Sequence, residues 1–223
     1  MASSSIKHEA SSSTFEVDSH NDQYLERQTK TFKLIDAARV SITALALLCG
    51  ITIMGLSADA IRVYNTTKLE GSPLLSVWPE SFDMQPTVAL VVGSSLVTLA
   101  NIAALLCSKV PHLRNNTPVH TPVMFAAPVI GFIAALVAVI VFYAINASET
   151  TDSLLSWTCR WRSVHMGQAP YFGTLCGQSW ASVYLAVILV PLEAIALCAA
   201  GWQLKVEKHV SAYAHARKGS PLA

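Results

Sequence analysis

The sequence predicts an all-α protein, a polytopic membrane four-helix bundle with a disulfide-pinned second outer loop. Three observations predict this fold. Of the 223 residues, 52% are hydrophobic and only 13% are charged, against roughly 25% charged in an average soluble domain. Four apolar runs reach or approach the roughly 19-residue window of a transmembrane helix. Two cysteines lie outside these runs, and both fall in the last loop between them.

The four apolar runs are residues 40–58, 86–107, 122–145 and 180–202. About 20 apolar residues at 1.5 Å each are enough to cross roughly 30 Å of hydrocarbon. Little sequence is left between the runs for a separate soluble domain. We therefore interpret residues 40–202 as one transmembrane domain.

Three polar segments flank this domain. Residues 1–21 are rich in serine and too poor in apolar side chains to offset the entropy of ordering them, which predicts disorder. Residues 22–39 mix apolar and basic side chains in a loose helical pattern, typical either of an extension of the first span or of an amphipathic juxtamembrane helix on the cytoplasmic leaflet. We favour the extension. Residues 203–223 form a basic tail, which we expect to lie against anionic lipid.

The distribution of Lys and Arg predicts the orientation. Eleven of these fifteen residues lie in the N-terminal segment, the 108–121 loop or the C-terminal tail. The loops 59–85 and 146–179 hold the other four, which are Arg62, Lys68, Arg160 and Arg162. Because basic residues concentrate on the cytoplasmic side of a membrane protein, we expect both termini to be cytoplasmic. We expect the protein to enter the secretory pathway and reach the plasma membrane.

The cysteines give a second indication of sidedness. Cys159 and Cys176 share the 146–179 loop, which the charge distribution places on the oxidising side. Such a compartment favours a disulfide over two free thiols, and closing this loop is worth about 3 kcal/mol in the chain-entropy model. The sequence therefore predicts a Cys159–Cys176 disulfide.

Two further positions are candidates for modification. Asn65 opens an Asn-x-Thr acceptor pattern for N-glycosylation in the first outer loop. Cys107 lies where the second span should meet the cytoplasm, which makes it a candidate for palmitoylation.

Polar side chains inside the spans form a candidate site. Glu193 lies near the middle of the fourth span, where a carboxylate facing lipid costs a few kcal/mol. Ser94, Thr98 and Asn101 follow one another at helical spacing and share one face of the second span. We expect that face to meet Glu193. We favour a structural, hydrogen-bonded and protonated acid over a transport or gating group.

The sequence shows none of the usual signs of catalysis. Its seven histidines are not spaced from one another or from cysteines as zinc ligands are, and Cys-x-x-Cys, the thiol oxidoreductase motif, does not occur. The net charge of +1 gives no reason to expect a nucleic-acid partner. We expect no enzyme activity, catalytic residue, cofactor or metal.

The layout resembles MARVEL-type proteins and the small four-span integral membrane proteins of filamentous fungi. The shared features are four spans, cytoplasmic ends, and a larger second outer loop that carries the pair Cys159 and Cys176. The resemblance implies a non-enzymatic scaffold that organises membrane domains or trafficking. Its partners would be membrane lipids and, through small-residue helix faces, itself or other membrane proteins. The alternative is a small transporter or channel that uses Glu193 with Thr98 and Asn101.

Overall fold

A computed structural model describes the backbone of most of the chain. The described residues are 5–68, 77–79, 81–110, 117–147 and 151–218, with side chains described for 34–68, 77–79, 81–110, 122–147 and 151–206. The chain forms two compact units, Met1–Val40 and Ser41–Ala223.

The described chain is mostly helical. Its elements are α1 (Ser5–Thr67), β1 (Phe82–Asp83), α2 (Gln85–Lys109), α3 (Thr117–Asn146), β2 (Asp152–Ser153), α4 (Leu154–Arg160) and α5 (Phe172–Lys218). Four of these helices are long and apolar enough to cross a membrane, in the segments Leu34–Thr67, Gln85–Lys109, Pro122–Asn146 and Phe172–Val206. Each predicted span lies within one of them, so the prediction of four apolar helices is confirmed.

The first unit is helical from Ser5 onward. Residues 5–21 therefore have helical backbone. Because the hydrogen bonds of an α-helix are internal to the segment, a polar segment can be helical without burying an apolar face. Residues 22–39 also have helical backbone, which both interpretations of this segment expect. At the end of this unit Arg39 pairs with Asp36 at 3.2 Å.

The starts of α2 and α4 are fixed by local hydrogen bonds. Asp83 Oδ1 accepts from the backbone N–H of Gln85 at 2.8 Å, and a proline stands in the first turn of α2, where its missing N–H costs nothing. At α4, Ser153 and Ser156 form a capping box in which each side chain accepts from the other's backbone N–H. Helix α4 begins directly after β2, and Met84 alone separates the start of α2 from β1.

The second unit has a core shared by all four long helices. Its buried side chains are Ala46, Ile53, Leu90, Val97, Ala135, Ala138, Phe142, Val183, Ala186 and Leu189. Helices α2 and α3 approach each other closely at Gly93, where an added Cβ would lie 2.5 Å from the Cβ of Ala138. Small residues at helix contacts allow such close packing.

The outward faces of the long helices are also apolar. Leu48 is 61% exposed, Val92 54%, Ile133 54% and Ile188 52%, although each belongs to a helix whose other face is buried. A helix that is apolar all round is typical of a core or membrane environment. This pattern indicates a multi-pass membrane protein.

The loops 59–85 and 146–179 meet at one end of the second unit. There β1 pairs with β2 in parallel, with Phe82 opposite Asp152 and Asp83 opposite Ser153. We call the residues 77–79, 81–84 and 151–171 the cap. Since the cap contains residues of both loops, the two loops lie at the same end, as four spans require.

Aromatic side chains connect the cap to the ends of α1 and α5. Tyr64 at the end of α1 stacks on Phe82 at 4.9 Å between ring centroids, and its ring meets Trp78 edge-on at 5.0 Å. Trp78 also contacts Phe172, the first residue of α5, at 5.8 Å. The indole Nε1 of Trp78 donates to Thr67 Oγ1 at 3.0 Å, which gives the polar end of the ring a partner.

A disulfide joins Cys159 of α4 to Cys176 of α5, with the two Cα atoms 4.8 Å apart. The predicted disulfide is therefore confirmed. Asp152 forms an ion pair with Arg160 at 3.1 Å. Because Asp152 belongs to β2, this pair connects the strand to the end of α4.

Candidate functional site

The fourth long helix, α5, places Glu193 in the interior of the second unit, where it is 0% exposed. Its Oε1 accepts a hydrogen bond of 2.7 Å from Nδ2 of Asn101 on α2. The same Nδ2 donates to the backbone carbonyl of Val97 at 3.0 Å. An amide group carries two N–H donors, so both donors of Asn101 are used.

The third side of this site is Gly131 on α3. A Cβ added at Gly131 would lie 2.7 Å from Glu193 Oε2 and 2.9 Å from Cδ. The carboxyl group therefore occupies the space that a side chain at position 131 would need. We call Asn101, Gly131 and Glu193 the buried polar site. It connects three of the four long helices.

The structure separates the polar residues that the sequence places on one face of α2. Asn101 reaches Glu193, whereas Thr98 lies against α1, since a Cβ at Gly50 would be 2.9 Å from Thr98 Oγ1. Ser94 is buried, and its hydroxyl donates to the carbonyl of Val91 within its own helix at 3.1 Å. Thr98 Oγ1 is buried without a hydrogen-bond partner among the described residues.

Gly131 is the member of this site that the sequence did not single out as a neighbour of the acid. Its sequence neighbourhood shows only that it lies on a helix face of small residues with Ala127 and Ala135, all of which are buried. Spacings of three and four residues show which face of a helix carries small side chains. They do not show which residue of another helix stands opposite.

The chemistry available to the buried polar site is narrow. Oε1 of Glu193 has a neutral amide donor, and Oε2 has no hydrogen-bond partner in the part of the chain that the structure describes. Since the side chain is 0% exposed, it is enclosed by protein. Such a group can hold helices together through a hydrogen bond, whereas an acid in a conducting path has to meet water.

Histidine, cysteine, aspartate and glutamate, the usual protein ligands of metal ions, all occur among the residues whose side chains are described. Among these residues, no group of three or more His, Cys, Asp or Glu side chains is placed to hold a metal ion.

The two candidate modification sites have different surroundings. Cys107 is 7% exposed within α2, so its thiol would have to leave its packing to be acylated. Asn65 is exposed in the last turn of α1. The hydroxyl of Thr67, the third residue of its acceptor pattern, donates to the carbonyl of Val63 at 2.7 Å and accepts from Trp78.

No family model, curated protein or solved structure matches the chain. The function is therefore argued from the geometry.

Proposed function

We propose that the chain is a four-helix membrane bundle that acts as a non-enzymatic scaffold and organises membrane domains or trafficking. In this proposal the protein lies in the plasma membrane, and both of its termini are cytoplasmic. The observation that carries this proposal is the enclosure of Glu193. The acid is 0% exposed and is bonded to Asn101 of a second helix.

An acid in this setting suits a structural role. A hydrogen bond between membrane helices contributes roughly 0.6 to 1.7 kcal/mol, and a single buried polar pair can fix the register of packed helices. Because Gly131 of α3 lies against the same carboxyl group, one side chain sets the relative position of three helices. A carrier, by contrast, has to expose its acid to water at some stage.

The proposed partners are membrane lipids, copies of the chain and other membrane proteins. The proposed assembly proceeds through small-residue helix faces. The described helices also expose large apolar side chains, such as Val92, which add surface for a partner.

The substitution Glu193→Gln tests the proposal. Glutamine has nearly the same shape and keeps an oxygen that can accept from Asn101. For a scaffold we expect unchanged abundance, unchanged location and the same set of proteins co-purifying in native lipid. The matched control is Asp59→Asn, the same chemical change at an exposed acid.

A measurement of proton flux distinguishes the scaffold from the alternative function, a small transporter or channel that uses Glu193. Purified wild-type protein and both variants would be reconstituted in vesicles that contain a pH-sensitive dye. The scaffold predicts the same slow dye response in all three samples. Flux that is present in the wild type and the Asp59→Asn variant but lost in the Glu193→Gln variant would replace the scaffold with a proton-coupled carrier.

A further inference from the structure

A second polar feature, separate from the buried polar site, lies beneath the cap. It is a cavity of about 10 Å³, counted as the space open to the centre of a water molecule. Four residues with hydroxyl groups line it, namely Ser57 on α1, Thr87 on α2, and Ser179 and Ser182 on α5. Apolar side chains, including Phe142 of α3 and Leu155 of α4, close the rest. A space of this size is at the lower limit for one water molecule.

Ser57 gives the cavity its chemical character. It is 2% exposed, and its hydroxyl has no hydrogen-bond partner among the side chains and backbone that the structure describes. A hydroxyl group carries one donor and two acceptor positions, and buried polar groups nearly always have at least one partner. The cavity wall is therefore where the partner of Ser57 is to be sought.

Ser182 faces the same cavity from α5. It is 0% exposed, and its hydroxyl donates to the carbonyl of Gln178 at 2.9 Å. Its proton is thus used, but its oxygen can still accept. Ser57 can donate while Ser182 can accept, which is the pair of functions that one bridging water molecule needs.

We propose that this cavity binds a single water molecule, which accepts from Ser57 and donates to Ser182. The water would join α1 to α5 directly below the cap, with Thr87 of α2 on the same wall. This site does not depend on the scaffold role or on Glu193.

Two other occupancies fit the wall less well. A cation prefers several oxygen ligands, usually including carboxylates, and the described lining residues include no Asp or Glu. Cavities that stay empty are lined by apolar groups, whereas this one has hydroxyl groups from three helices.

The experiment compares thermal unfolding midpoints of the full-length protein in detergent for Ser57→Ala, Ser182→Ala and the double variant. The matched control is Ser94→Ala, because Ser94 is 3% exposed and also helical, but its hydroxyl donates within its own helix. Ser57→Ala and Ser94→Ala change helix propensity by the same amount, because both replace a helical serine with alanine. We expect Ser57→Ala to lower the midpoint more than Ser94→Ala does, and the double variant to lose less than the sum of its two single variants.

A dry cavity predicts the opposite pattern. Removing an unpaired buried hydroxyl should then leave the midpoint unchanged or raise it, and the two substitutions should be additive. Either result would overturn the proposal. A crystal structure supplies a second measurement, since ordered density within hydrogen-bond distance of both Ser57 and Ser182 is expected. Empty density there, in a map that shows other internal waters, would also overturn it.

Discussion

Gly131 and Glu193 are packed so closely that position 131 has no room for a side chain. Substitution by alanine tests this packing. In Gly131→Ala the new Cβ would lie 2.7 Å from the carboxyl oxygen. The carboxyl group cannot move freely, because it is enclosed and bonded to Asn101. Overpacking of this kind typically costs about 1–3 kcal/mol, so we expect a lower unfolding midpoint in detergent.

Gly55→Ala is the control for that substitution. Gly55 also lies within a long helix, but none of the described atoms outside its local backbone would be within 4 Å of an added Cβ. Alanine favours helix over glycine by up to about 1 kcal/mol, so this variant should be as stable as the wild type or more stable. Equal losses in both variants would contradict the close packing at Gly131.

At the scale of single residues, the sequence could predict which side chains need partners but not every partner. The cost of an acid in lipid requires Glu193 to face protein or water, and helical spacing places Asn101 on a polar face. The same spacing gives Ser94 and Thr98 equal standing on that face, whereas the hydrogen bond comes from Asn101. Helix tilt and rotation decide that difference, and both are set by packing rather than by periodicity.

At the scale of elements, the disulfide between α4 and α5 should stabilise the cap. The two cysteines are 17 residues apart, and closing a loop of that length is worth about 3 kcal/mol in the chain-entropy model. We expect Cys159→Ser together with Cys176→Ser to lower the midpoint of thermal unfolding under non-reducing conditions.

The control for the disulfide is Cys198→Ala, which changes an exposed free cysteine of the same helix, α5. It should leave the midpoint near that of the wild type. Adding a reductant should bring the wild type down to the double variant without changing the variant itself. If the double variant has the same unfolding midpoint as the Cys198→Ala control, the disulfide does not contribute to the stability of the cap.

At the cap, the sequence could predict the disulfide but not the strand pairing. The pair Cys159 and Cys176 could be predicted because oxidising compartments favour disulfides. The pairing of β1 with β2 could not, because each strand has two residues and its partner lies in a different loop. The place of Trp78 could not be predicted either, because it belongs to the 59–85 loop and its contacts with Phe82 and Phe172 depend on how the two loops meet.

At the scale of the whole molecule, hydropathy located the spans because a bilayer leaves few alternatives to the helix. Backbone groups in hydrocarbon must be satisfied internally, so an apolar run of sufficient length becomes a helix. Helices α1 and α5 extend beyond their apolar runs. The need to satisfy backbone groups in hydrocarbon does not explain these polar extensions. Polar helical segments outside hydrocarbon depend on weak propensities, and these leave little trace in composition.

The contact between the two loops gives the orientation a direct test. Because β1 and β2 pair, the loops 59–85 and 146–179 lie on one side of the membrane. The charge distribution predicts that this is the outer side. After mild reduction of intact cells, a membrane-impermeant maleimide should label Cys159, which is less buried than its partner Cys176. In a variant that carries Ser220→Cys in the C-terminal tail, the new thiol should be labelled only once the cells are permeabilised. Labelling of the tail in intact cells, with protection of Cys159, would invert the topology and place the disulfide in the reducing compartment, where it would not persist.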